Sequence, residues 1–224
     1  LAAEADANEA RNAVGPASAA ILRSFDGFRM FVPKCYGGPE VAPLDAMDAI
    51  VALAEADASA AWCATICSQT SHMAGSLEPQ WARKVFGPAD AVVCGAFAPL
   101  GKGKRVEGGH VVSGRWQWGS ATHLATWIGG GTITDQGEFH QMLFPASSVT
   151  FYDTWHVAGL GGTASHDFSV TDELVPDGRS VMFGHAKPTC DAPIARTPGF
   201  VLFSAGIASI MLGIAGRAVR EVVQ

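Results

Sequence analysis

The pattern of hydrophobic and polar positions changes period twice along the chain. Up to residue 90, apolar residues recur at helical spacing. Residues 1–14 and 17–25 read as helical stretches parted by Gly15-Pro16, and a proline suits a first helical turn. A loop dense in turn residues follows, Val32-Pro33-Lys34-Cys35-Tyr36-Gly37-Gly38-Pro39. Leu44, Met47, Ile50, Val51 and Ala54 then mark a helix over 43–57, and further helices are predicted over 59–77 and 79–86. From Ala91 onward the apolar positions alternate, with valine, threonine and aromatics between glycine turns. Strands are predicted over 91–97, 110–118, 126–134, 139–144, 149–153 and 167–175. No long helical segment interrupts this run, so an antiparallel barrel or sandwich is expected. The fold class is α+β, with a helical domain at 1–90, a β middle domain at 91–186, and at 187–224 a linker and the first helix of a further bundle.

That last helix is unusual. Residues 199–216 carry no charge and nearly reach the length of a membrane span. The segment is rich in Gly, Ala and Ser, lacks flanking Trp or Tyr, and ends in a charged turn at Arg217, Arg220 and Glu221. These features favour a helix buried among other helices over one in lipid. The linker before it cannot supply those neighbours. They are expected beyond Gln224 or from another subunit, so the chain reads as cut short.

Composition narrows the classes. The chain of 224 residues is 48% hydrophobic and 16% charged, which excludes disorder. Its 15 basic and 21 acidic residues give a net charge of −6, against a nucleic-acid binder. Cysteines at 35, 63, 67, 94 and 190 are odd in number and sit in apolar or mixed segments, as in a reducing compartment. The first residues show no signal-peptide pattern, so a cytoplasmic location is expected.

Three segments carry candidate chemistry. Between Asp57 and Glu78 nothing is charged, and Thr65, Ser68, Gln69, His72 and Ser76 line one stripe of the predicted helix. A buried polar stripe needs partners, which a ligand pocket or the backbone can supply; His72 is a candidate ligand of such a pocket or a core histidine. In the strand from His110, alternation is expected to point Trp116, Trp118 and Ser120 the same way, a wall for a flat aromatic ligand or an aromatic-rich core. The stretch from Trp155 to Ser165 is glycine-rich, but it lacks the third glycine of a dinucleotide fingerprint and a strand follows it. Gly101-Lys102-Gly103-Lys104-Arg105 likewise fails as a phosphate loop and is expected at a solvated hairpin tip. Cys63, Cys67 and His72 do not have zinc-site spacing, and no metal is expected.

Four strings together resemble a known family: Val32-Pro33-Lys34-x-Tyr36-Gly37-Gly38, Asp57-Ala58-Ser59-x-Ala61-Trp62, Ser113-Gly114-Arg115-Trp116-x-Trp118-x-Ser120 and Gly162-Thr163-Ala164-Ser165. Their order is similar to the acyl-CoA dehydrogenase superfamily, in its flavin-dependent monooxygenase branch of two-component aromatic and phenol hydroxylases. The resemblance implies an oxygenase component that hydroxylates an aromatic or polycyclic substrate through a flavin C4a-hydroperoxide. Reduced flavin, FMNH2 or FADH2, would come from a separate reductase and react with O2. The resemblance further implies that Ser120 hydrogen-bonds flavin N5 and that His72 acts on the substrate phenol as the second catalytic residue. Phe97, Ala98, Pro99, Trp118, Thr163, Ala164 and Ser165 would line the isoalloxazine, and a homotetramer is the expected assembly. A second active-site histidine and part of the phosphate site would lie past Gln224. Gly119 and Ala121 flank Ser120 where relatives often carry Ser or Ala before and Gly after.

Two other readings accompany it. An acyl-CoA dehydrogenase-like oxidoreductase would hold FAD permanently, but usually carries Thr-Glu where this chain has Ala98-Pro99. A non-catalytic binding or assembly protein on the same fold is the third, since fold alone does not fix chemistry.

Overall fold

The computed structural model describes residues 1–223. Helices fill the first part: α1 (Ala5–Arg11), α2 (Pro16–Ser24), α3 (Pro43–Ala56), α4 (Ala58–Ser71) and α5 (Pro79–Phe86). Prolines open α2, α3 and α5 at positions where the missing N–H has no helical partner to lose. Asp57 caps α4 by accepting from the Ala60 amide at 3.0 Å. The helix predicted over 59–77 is shorter than expected. It ends at Ser71, whose hydroxyl turns back to the Ser68 carbonyl, and His72–Gly75 continue as a 3-10 turn.

The strands are β1 (Val93–Val106), β2 (Gly109–Gly119), β3 (Trp127–Thr134), β4 (Phe139–Pro145), β5 (Thr150–Tyr152), β6 (His166–Pro176) and β7 (Ser180–Met182). They form one sheet in the order β5-β6-β2-β1-β3-β4-β7. The expected all-antiparallel arrangement fails at one place: β3 runs opposite to β2 but pairs on the far edge of β1, and so lies parallel to β1. The short β7, which sequence alternation does not reveal, adds to the β4 edge.

Gly101 to Arg105 do not form a hairpin tip. They lie inside β1, paired with both β2 and β3, and the turn comes later at Gly108. The two glycines face inward and the two lysines outward, a period of two in which the small residue is the buried one. At Gly101 a β-carbon would come within 2.4 Å of the Trp116 ring, so only glycine lets that indole pass.

Between Ala96 and Gly101 the β1–β3 register slips, and Phe97 to Leu100 bulge out of the ladder and lie exposed. A second irregularity follows Trp116 in β2, where Trp118 takes a left-handed conformation, φ +61°. The twist breaks the expected alternation. Trp116 is fully buried, stacks on Phe168 at 5.2 Å and donates to the Gly131 carbonyl at 2.8 Å. Trp118 is 68% exposed, so the two indoles do not share a face.

The final helix, α6 (Gly199–Val223), is long and apolar enough to cross a membrane by length and composition. Here one face of it packs on α3 and α4. Leu202, Gly206, Ser209, Ile210 and Gly213 are buried there, while Phe200, Val201, Leu212 and Val219 are exposed. The expectation of a helix surrounded on all sides is therefore met on one side only. One core cluster joins α2, α3, α4 and α6 to the start of β1.

Candidate functional site at the end of strand β2

The end of β2 meets the N-terminal half of α4 and the glycine-rich loop before β6. Ser120 is buried at this corner. Its hydroxyl accepts from the Trp62 indole Nε1 at 2.9 Å and lies 2.7 Å from the Ser165 hydroxyl. Ser165 in turn lies 2.7 Å from the Thr163 hydroxyl, which donates to the Leu160 carbonyl at 2.9 Å. Trp62, Ser120, Ser165 and Thr163 thus form one continuous line of hydrogen bonds.

The backbone around this line is strained. Of the eight non-glycine residues with positive φ among the described residues, four are Trp118, Ala121, Leu160 and Ala164. Each left-handed non-glycine residue costs on the order of 1–3 kcal/mol, and such residues concentrate at functional sites. The loop is held in return. The Ala121 amide donates to the Thr163 carbonyl at 3.0 Å, and the Glu9 carboxylate of α1 accepts from the Gly161 and Gly162 amides at 3.0 and 3.2 Å. At Gly162 a β-carbon would come within 2.9 Å of the Ser59 side chain, which explains glycine there. Asn12 donates to the Trp155 carbonyl at 2.7 Å. Beneath α1, Asn8 is fully buried, donates to Ser18 and Asp57, and accepts from the Gly15 amide.

His72 sits elsewhere. Trp62 and His72 are ten residues apart, roughly 15 Å along α4 at 1.5 Å per residue. Its ring lies against Gly199 and the main chain at Ile194 and Thr197, and its Nε2 is shielded from solvent with no hydrogen-bond partner. Burial lowers its pKa below the ordinary value of 6.5, which keeps the ring neutral near pH 7. Three other residues of the polar stripe bond within the fold. Ser68 bonds the Gly27 carbonyl and the Met30 amide, and Gln69 donates to the Leu202 and Phe203 carbonyls of α6. Thr65 turns back on its own helix at the Ala61 carbonyl. The Gln69 Oε1, like the His72 Nε2, is buried without a partner.

Of the residues expected to line the flavin, Thr163, Ser165 and Ser120 meet directly, with Ala164 buried between the first two. Phe97, Ala98 and Pro99 lie on the exposed β1 bulge, with the Phe97 ring edge-on to Phe139, Phe183 and Phe200 at 5.1–5.7 Å. The His72 ring and Phe97 both face the start of α6, at Gly199 and Phe200. A broad depression of about 900 Å³, lined by Arg11, His123, Trp155, His156 and His166, borders the loop at Ala164; neither Ser120 nor His72 lines it. Cys63 and Cys67 are buried thiols whose pKa values burial pushes well up, so they carry no thiolate character. Among the described residues no group of three His, Cys, Asp or Glu is placed to hold a metal.

Trp62 and Glu9 are the residues that sequence reasoning did not place at the corner. Trp62 falls in an apolar stripe and Glu9 in a short terminal helix, and neither position signals a contact so distant in sequence.

A helical part, a mixed sheet and a returning helix, joined at a strained corner of hydroxyls and indoles, define the acyl-CoA dehydrogenase-like fold of flavin enzymes. No protein-family model matches the chain. By sequence it is 30% identical over 199 residues to the indole-3-acetate monooxygenase of Pseudomonas putida, covering 87% of this chain and 51% of that protein. It is 30% identical over 186 residues to the oxygenase component of the FADH2-dependent resorcinol hydroxylase of Rhizobium sp. strain MTP-10005, covering 80% of this chain and 44% of that protein. The crystal structure of the 3-HSA hydroxylase from Rhodococcus sp. RHA1 superposes with a TM-score of 0.90 at 26% identity, over 97% of this chain and 59% of that one. The chain is thus a homologue of flavin-dependent monooxygenases, the branch of the superfamily that its four strings resemble. It spans about half the length of the curated relatives it matches.

The Trp118 indole and the bulge at Phe97–Leu100 are exposed, and the Ser120 hydroxyl is buried.

Proposed function

We propose that the chain acts as the oxygenase component of a two-component flavin-dependent monooxygenase that hydroxylates an aromatic or polycyclic substrate. The observation that carries this reading is the line from Trp62 through Ser120 and Ser165 to Thr163, built where the helical part (1–90) meets the β part (91–186). Reduced flavin, FMNH2 or FADH2, supplies the electrons that activate O2 when it is bound. Ser120 would hold N5 through its hydroxyl, and Trp118 with Phe97, Ala98 and Pro99 would cover the rings and exclude water, which strengthens every polar contact inside. Thr163, Ala164 and Ser165 would complete the wall. His72, neutral and with Nε2 unpaired, would accept or share the proton of a substrate phenol whose ordinary pKa is near 10. A separate reductase would deliver the flavin, and the protein would act in the cytoplasm as a homotetramer; the exposed apolar face of α6 supports packing against further helices, whether of the same subunit or another.

The test supplies reduced flavin, O2 and a panel of phenols, and follows product and hydrogen peroxide together. Ser120→Ala should raise the share of peroxide several-fold. His72→Ala should slow hydroxylation by 10²-fold or more while flavin oxidation continues. Tightly bound FAD that is bleached by an acyl-CoA would overturn the reading in favour of a dehydrogenase.

A further inference from the structure

The line of hydrogen bonds at the corner has a direction. An indole N–H can only donate and a carbonyl oxygen can only accept, whereas a hydroxyl carries one proton and two lone pairs. Trp62 stands at one end and the Leu160 carbonyl at the other. With Thr163 donating to Leu160, the short contact between Thr163 and Ser165 requires Ser165 to donate to Thr163. The 2.7 Å contact between Ser165 and Ser120 then requires Ser120 to donate to Ser165. Ser120 has therefore spent its proton inward and one lone pair on Trp62. One lone pair remains, and a third partner of Ser120 must be a donor.

We propose that Thr163 is a positioning residue that makes Ser120 an acceptor, and that it thereby selects the redox state of the flavin. This inference rests on the flavin reading above. Reduced flavin carries N5–H, a donor; oxidised flavin presents a bare N5 lone pair, an acceptor that meets the Ser120 lone pair head-on. For Ser120 to donate outward, Ser165 must turn to Ser120 and Thr163 must turn to Ser165. Leu160 loses one bond in that reversal, but its carbonyl still accepts from the Trp155 indole at 3.2 Å and from the Thr163 amide at 3.1 Å. Reversal therefore costs about one net hydrogen bond, so the line favours the reduced form by about five-fold. The selectivity is set at Thr163, two hydrogen bonds along the line from the Ser120 hydroxyl.

The test measures binding rather than turnover. Dissociation constants for oxidised FMN and for anaerobically reduced FMN are measured on the same chain, and the same pair is measured for FAD. Thr163→Val removes the hydroxyl that receives the Ser165 proton, leaving Ser165 free to face Ser120. The ratio of oxidised to reduced dissociation constants should fall about five-fold, chiefly through tighter binding of the oxidised form, and Thr163→Ser should keep the original ratio. Trp62→Phe removes the fixed donor but leaves the Ser120 proton directed inward, so it should not tighten oxidised-flavin binding. The Trp62 indole resonance in an ¹⁵N spectrum should persist in Thr163→Val and move in Ser120→Ala, showing that the corner has kept its fold. An unchanged ratio in Thr163→Val with that resonance in place overturns the proposal and leaves the flavin reading standing. A chain that binds neither flavin in either state overturns both.

Discussion

The two ends of α4 are built in opposite ways. At its beginning three polar groups are matched: Asp57 caps the helix and takes the Asn8 amide, and Trp62 reaches Ser120. At its end the His72 ring is shielded and its Nε2 has no partner. A saturated network resists change because removing any member strands another. An unmatched buried nitrogen costs stability as it stands and gains most from a new partner. In the proposed enzyme the first end would fix a cofactor contact and the second would answer a substrate, so one helix would carry the rigid and the responsive halves of the site.

Four experiments separate the ends, from the largest expected effect to the smallest. Asp57→Ala removes the cap and leaves the Asn8 amide short of a partner, so urea unfolding should show a loss of about 3 kcal/mol. A loss under about 1 kcal/mol would mean that the beginning of α4 is not the tight end. Ser120→Ala strands the Trp62 indole N–H and should cost about 1–2 kcal/mol in the same assay, with Ser120→Thr recovering part of it.

The third experiment varies pH. Burial lowers the pKa of His72 from 6.5, and His110 and His123 are shifted the same way with burial as the leading cause. Between the lowered values and 6.5 the unfolded chain binds more protons than the folded one, so stability rises with pH through that window. It is fully present above pH 6.5 and declines as pH falls below it. Melting temperatures from pH 8 to pH 5 should show this fall, and His72→Gln should flatten it. An unaltered slope would mean that His72 is as solvated as a surface histidine. Last, Trp118→Ala should change stability by under about 0.5 kcal/mol, because the indole is exposed, yet weaken flavin binding measurably.

Much of this was legible in the sequence. The period change at residue 91 separates helices from strands as found, and proline and glycine punctuation sets most boundaries. Ser120, Thr163 and Ser165 are named by strings that are far apart in the chain and bonded in the structure. The failures have a common physical origin. Alternation assumes an unbroken strand, and the left-handed residue at Trp118 and the slip at Phe97–Leu100 break it. A polar stripe on a helix shows that partners exist but not which; loop carbonyls and α6 took the places assigned to a ligand. The glycine-lysine run in β1 hides a strand, because its inward positions have no side chain to register as hydrophobic.

The clamp between α1 and the glycine-rich loop has a practical bearing on protein engineering. Two amides at positions 161 and 162 rest on one carboxylate at position 9. Trimming the first dozen residues, a routine step when tags or cleavage sites are designed, would remove the Glu9 and Asn12 anchors together. The loop that carries Thr163 and Ser165 would then lose its outer support, and a shortened version that still expresses well would be a poor guide to how the intact protein handles its cofactor.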